Sequence, residues 1–108
     1  MEQLNRMFAM EEKVSCEELL RVLYGIETED SEELECEVMD ALMDLSEEGV
    51  GGMMQAVYLW SRYLLGMDDA SIMQQMNSDM ESLLHKVHIS GLRKMRHPRY
   101  AKRILKAA

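Results

Sequence analysis

The chain has 108 residues, enough for one small domain and too few for two with separate cores. With 47% hydrophobic and 30% charged residues it lies outside the composition of disordered chains, and one proline and six glycines exclude a linker or a fibre. The net charge of −8 would argue against polyanionic partners if it were evenly spread, but residues 1–84 hold 20 acids and four bases (−16), while the last 24 residues hold eight bases and no acid (+8).

The first ten residues lack the basic flank and long apolar run of a secretory signal. Leu4, Met7 and Phe8 predict a short amphipathic helical segment ending near Lys13. Ser15-Cys-Glu-Glu18 has the form of a capping box, and the helix it opens places Leu19, Leu20 and Leu23 on one side before Gly25. Thr28-Glu-Asp-Ser31 offers N-cap residues for a helix over residues 31–48. Its apolar stripe is Leu34, Val38, Ala41, Leu42 and Leu45, with Glu33, Glu37, Asp40, Asp44 and Glu47 on the other face. Gly49, Gly51 and Gly52 are expected to end that helix.

Residues 53–65 predict a helix that is apolar nearly all round, so it is either central or shared with a second subunit. Gly66 closes it. Asp68-Asp69 and then Ser71-Ile-Met-Gln74, a second capping-box pattern, open the next helix, whose stripe runs through Ile72 or Met73, Met76, Met80, Leu83 or Leu84, and Val87 until Gly91 interrupts it. His97-Pro98 reads as an N-cap followed by proline at the first helical position. The last helix then sets Tyr100, Ala101, Ile104 and Leu105 against Arg99, Lys102, Arg103 and Lys106.

Strand signals are nearly absent, and the fold expected is all-α: a compact bundle of four to five short helices plus a basic C-terminal helical arm. The division expected is an acidic helical bundle over residues 1–90 and the arm over residues 91–108. Two cysteines, Cys16 and Cys36, without CxxC or an adjacent histidine, make neither a disulfide framework nor a zinc site. The longest apolar stretch, interrupted by Gln55, Ser61 and Arg62, is too short for a bilayer. A cytoplasmic protein without membrane contact is the expectation.

Twelve methionines against one phenylalanine and one tryptophan are the compositional outlier. Met73, Met76 and Met80 share one helix face, and Met39, Met43, Met53 and Met54 are placed to meet it. Such a stripe is either ordinary core or a flexible, polarisable surface that adapts to a partner helix or a second copy. Glu81, His85 and His88 share a face but lack a fourth ligand, and no metal or other cofactor is assigned. No phosphate loop, nucleophile elbow or metalloprotease helix occurs, so no catalytic residue is assigned and an enzyme is not expected.

The function expected is that of a small non-enzymatic adaptor or regulator acting through helix-mediated protein binding, with another protein or itself, as a homodimer, for partner. Val57, Trp60, Leu64, Met73, Met76 and Met80 supply the apolar contact. Arg93, Lys94, Arg96, Arg99, Lys102, Arg103 and Lys106 supply attraction and orientation. Two alternatives stay open. One is a nucleic-acid-binding regulator using residues 93–106 on phosphates. The other is an acidic inhibitor of a nucleic-acid-processing protein, acting through Glu33, Glu37, Asp40 and Asp44.

Overall fold

A computed structural model describes residues 15–75 and 81–108. They form six α-helices and, among the described residues, no strand: α1 (Glu17–Tyr24), α2 (Glu32–Ser46), α3 (Val50–Leu59, continued by a π-helical turn over Trp60–Leu64), α4 (Asp69–Gln75), α5 (Glu81–Met95) and α6 (Pro98–Ala107). The all-α class is as the sequence predicts, with one helix more than the four to five expected.

Local chemistry accounts for the ends. Ser15 Oγ accepts the Glu17 amide at 3.3 Å, but the partner completing the cap of α1 is Asp30 rather than Glu18: its carboxylate accepts the Cys16 amide at 2.9 Å. Gly25, at φ 67°, closes α1 in the left-handed conformation that glycine adopts without strain. Ser31 caps α2 by accepting the Leu34 amide at 3.1 Å. At α4 the cap is Asp68, which accepts the Ser71 amide at 2.8 Å, so the helix starts two residues before the predicted Ser71 box. His97 Nδ1 accepts the Arg99 amide at 3.1 Å, with Pro98 in the first turn of α6, as the sequence predicts.

Three glycines predicted to break helices lie inside them. Gly51 and Gly52 belong to the first turn of α3, which therefore begins at Val50. Gly52 is buried, and a Cβ there would collide with the Leu45 carbonyl oxygen and stand 3.0 Å from Glu48 Cβ, so its missing side chain is what lets α3 approach α2. Gly91 sits mid-α5, where a Cβ would lie 3.2 Å from Leu59 Cδ1 and 3.3 Å from Gln55 Cβ. It marks close packing of α5 on α3, and the helix runs through it to Met95. The change from acidic to basic sequence thus falls within one helix.

The core is a single cluster. Leu19, Leu20 and Leu23 of α1, the predicted α2 stripe, and Tyr58 and Leu59 of α3 meet Leu84, Val87, Leu92 and Met95 of α5. Tyr100 and Ile104 carry α6 onto α2 and are 2% and 0% exposed. Arg96 ties α5 to α1, donating from Nε to the Leu23 carbonyl and from Nη2 to the Val22 carbonyl, both at 3.0 Å. These are unpaired last-turn acceptors at the negative end of α1, where a cation is favoured.

Candidate functional site

α3 is buried on one side only. Ala56, Tyr58 and Leu59 face the core, while Val50 is 72% exposed, Met53 51% and Val57 41%. Beside them Met43 of α2 is 60% exposed. Between the two helices lies a groove of about 180 Å³ lined by Met39, Leu42, Met43 and Ser46 from one side and Ala56, Val57 and Trp60 from the other. The spacing explains the lining: Met39, Met43 and Ser46 are i, i+4, i+7 on α2, and Val57 and Trp60 are i, i+3 on α3, with exposed Met53 one turn before Val57. The one hydroxyl of the lining is occupied, since Ser46 Oγ donates to the Met43 carbonyl at 2.6 Å.

Trp60 opens the π turn, where the Leu65 amide reaches back five residues to its carbonyl at 3.0 Å. Within this wider turn Ser61, Tyr63 and Leu64 are buried and Trp60 stays half-buried at the groove.

Glu33 and Asp40 of α2 and Glu47 just beyond its end follow one another at i, i+7 and i+14, which by helical spacing sets them alongside the Met39–Met43 line; all three are exposed and make no ion pair among the described residues. Two other acids of α2 turn towards α6. Glu37 and Asp44 hold Arg103 of α6, with Nε–Oε2 at 3.5 Å and Nη1–Oδ2 at 2.6 Å. Glu48, just after α2, accepts hydrogen bonds from Tyr100 Oη and, at 3.1 Å, from Lys94 Nζ. The tyrosine bond and then the lysine hold the Glu48 carboxyl below its ordinary range, while burial and that carboxylate push Tyr100 up to about 12.

The predicted apolar residues therefore separate. Val57 and Trp60 line the groove; Leu64 is buried at 5% exposed, and Met73 is half-buried against the core. Met76 and Met80 lie outside the described residues. Leu42, Ser46 and Ala56 join the lining without having been singled out for it. Leu42 and Ala56 were legible only as apolar residues, which core and groove use alike.

The predicted basic residues separate too. Lys94, Arg96 and Arg103 bind the chain's own carboxylates and carbonyls. Arg93, Arg99, Lys102 and Lys106 are exposed and make no ion pair among the described residues.

A polar cluster joins the end of α3 to α4 and α5. Tyr58 Oη donates to Asp69 at 2.9 Å, Arg62 contacts both Tyr58 Oη (3.0 Å) and Asp69 (2.6 Å), and Tyr63 Oη lies 2.6 Å from His88 Nε2. Burial, then the Arg62 charge, lowers the His88 pKa, and burial followed by the Asp69 bond raises Tyr58 to about 12. These groups occupy one another's hydrogen-bonding positions and fix the helices. Among the described residues no three His, Cys, Asp or Glu converge as metal ligands, and no helix is long and apolar enough to cross a membrane.

No protein family, characterised protein or solved structure matches this chain.

Proposed function

We propose that this protein is a non-enzymatic adaptor that binds a partner protein by receiving an amphipathic helix in the groove between α2 and α3. The observation that carries this reading is the exposed groove lined by Met39 and Met43, with its one hydroxyl already bonded within α2 and with the exposed acids Glu33, Asp40 and Glu47 alongside by helical spacing. Apolar side chains left in water at this density favour a covering surface, each contributing about 1.5–3 kcal/mol on full burial. Helix-in-groove recognition uses apolar anchors at helical spacing, and methionines adapt their rotamers to the incoming side chains.

Glu33, Asp40 and Glu47 specify the partner's charge: an apolar stripe flanked by Lys or Arg. The same acids disfavour a second copy, because pairing two such grooves brings like charges together. The acidic-inhibitor reading draws less support, since Glu37 and Asp44 already hold Arg103. Both cysteines are free, and burial with the Asp30 and Glu35 charges pushes the Cys16 thiol up to about 12. An inert buried thiol suits the reducing cytoplasm proposed as the site of action.

Trp60 is the only tryptophan, so its fluorescence reports groove occupancy directly. A designed amphipathic peptide with lysine flanks should shift its emission saturably. The same peptide with glutamate flanks should bind at least tenfold more weakly, and Met43→Asp should abolish the response. Equal binding of both peptides, no response to either, or a stable dimer in sedimentation would overturn the reading.

A further inference from the structure

The exposed bases form a connected surface. Arg93 and Lys94 at the end of α5, and His97 and Arg99 at the start of α6, line a concavity of about 300 Å³ with Tyr100 and Glu48. Lys94 and Tyr100 satisfy the Glu48 carboxylate, which leaves Arg93, His97 and Arg99 facing solvent there. From this corner Arg99, Lys102 and Lys106 continue at i, i+3, i+7 along the solvent face of α6. The seven-residue step from Arg99 to Lys106 gives this ridge a length of roughly 10 Å along α6. No acid lies on α6, and Arg103 points back to α2.

We infer that this corner and ridge bind the phosphodiester backbone of a nucleic acid without reading its sequence. Three observations favour that ligand over an acidic protein surface or a membrane. Along α6 one large apolar side chain, Leu105, is exposed, at 43%, and the next, Ile89, lies a turn beyond Arg93, so the face lacks the continuous apolar centre that a protein interface or a lipid-inserting helix uses. The cations form a row, which suits a repeating charge. The only Phe, Tyr or Trp there, Tyr100, is 2% exposed beneath the Arg99 guanidinium, and the one exposed ring, His97, is held by its own bond to the Arg99 amide, so bases meet no row of stacking rings and the contact is to phosphates.

The attraction comes from side chains: the Arg99 amide is held by the His97 ring, and those of Tyr100 and Ala101 by the His97 carbonyl. Sequence-independent contact of this kind gives an affinity of about 10⁻⁴–10⁻⁶ M at physiological salt. The surface lies on a different face from the α2–α3 groove and does not depend on it.

Fluorescence anisotropy of a labelled DNA duplex with the full chain tests this. Four phosphate contacts predict a log–log salt slope of about −3.6, a loss of roughly a hundredfold between about 50 and 200 mM salt. Each single change among Arg93→Gln, Arg99→Gln, Lys102→Gln and Lys106→Gln should reduce the slope by about one, and the four together should abolish binding with the helical content unchanged. Met43→Asp should leave the slope intact. Absence of duplex binding at low salt, or a slope indifferent to these changes, would overturn the inference. Displacement of the duplex by polyglutamate as effective as by unlabelled duplex would overturn it in favour of an acidic protein surface.

Discussion

Replacing Ile104 with alanine tests whether α6 is part of the folded body. Ile104 is 0% exposed and sits on the face of α6 that packs on α2, one residue before Leu105 at 43%. Ile→Ala removes three carbon atoms, about 2.4 kcal/mol at roughly 0.8 kcal/mol per buried methylene, and the cavity left behind brings the loss to about 3 kcal/mol. Leu105→Ala removes the same number of carbons from a position already in water by nearly half, so its loss is about 1.4 kcal/mol on the same scale, with no enclosed cavity to add to it. At about 4 °C per kcal/mol for a chain of this size, Ile104→Ala should lower the melting temperature by about 12 °C and Leu105→Ala by about 6 °C or less. Thermal and urea unfolding followed by circular dichroism measure both, and the urea slope should be unchanged, marking a loss of stability in one cooperative unit. Two variants that melt like the parent, with only a loss of terminal helix signal in Ile104→Ala, would refute the docking of α6.

Three further outcomes follow from particular contacts. Gly52→Ala places a Cβ against the Leu45 carbonyl, and the overpacking of about 1–3 kcal/mol outweighs the helix-propensity gain of up to about 1 kcal/mol, so urea unfolding should show net destabilisation and Trp60 emission should change as the groove is displaced. Burial and Arg62 lower the folded pKa of His88, with Asp69 partly opposing; the unfolded chain then takes up a proton at higher pH than the folded one, so stability should fall as pH drops from about 6.5 through the lower folded value and level off below it. Melting curves from about pH 7 to 5 should show this step in the parent and not in His88→Gln. Arg96→Gln removes two charge-assisted bonds to the end of α1 and should destabilise by about 1 kcal/mol in urea, an effect on folding and not on duplex binding.

The elements were legible where one physical signal dominates. The α2 stripe, the Ser31 cap and the His97-Pro98 start all lie where periodicity or capping chemistry predicts them. The glycines misled because sequence shows the missing side chain but not its reason: at Gly25 and Gly66 it permits a positive φ, whereas at Gly52 and Gly91 it permits helices to touch. Asp30 was overlooked as a cap of α1 because it lies outside the box pattern and joins the helix across 14 residues, whereas Asp68 is one of the residues the sequence offers for the start of α4.

The groove was half legible. Val57 and Trp60 belong to it, but a helix apolar all round does not announce which face the core takes, and that depends on α5 closing over Gly91. The basic residues were legible as a charge block. Only the fold shows that Arg96 and Arg103 hold the body together while Arg99, Lys102 and Lys106 face water.

The methionine ε-methyl resonances of the isotope-labelled protein, titrated with the lysine-flanked amphipathic peptide, test groove binding most directly. Met39 and Met43 of the lining should shift together and saturably, with exposed Met53, one turn from Val57, following them, while Met95, 0% exposed in the core, stays unmoved. Shifts spread over Met95 as well, or no shift at Met39 and Met43 while the peptide binds, would contradict the placement of the binding site between α2 and α3.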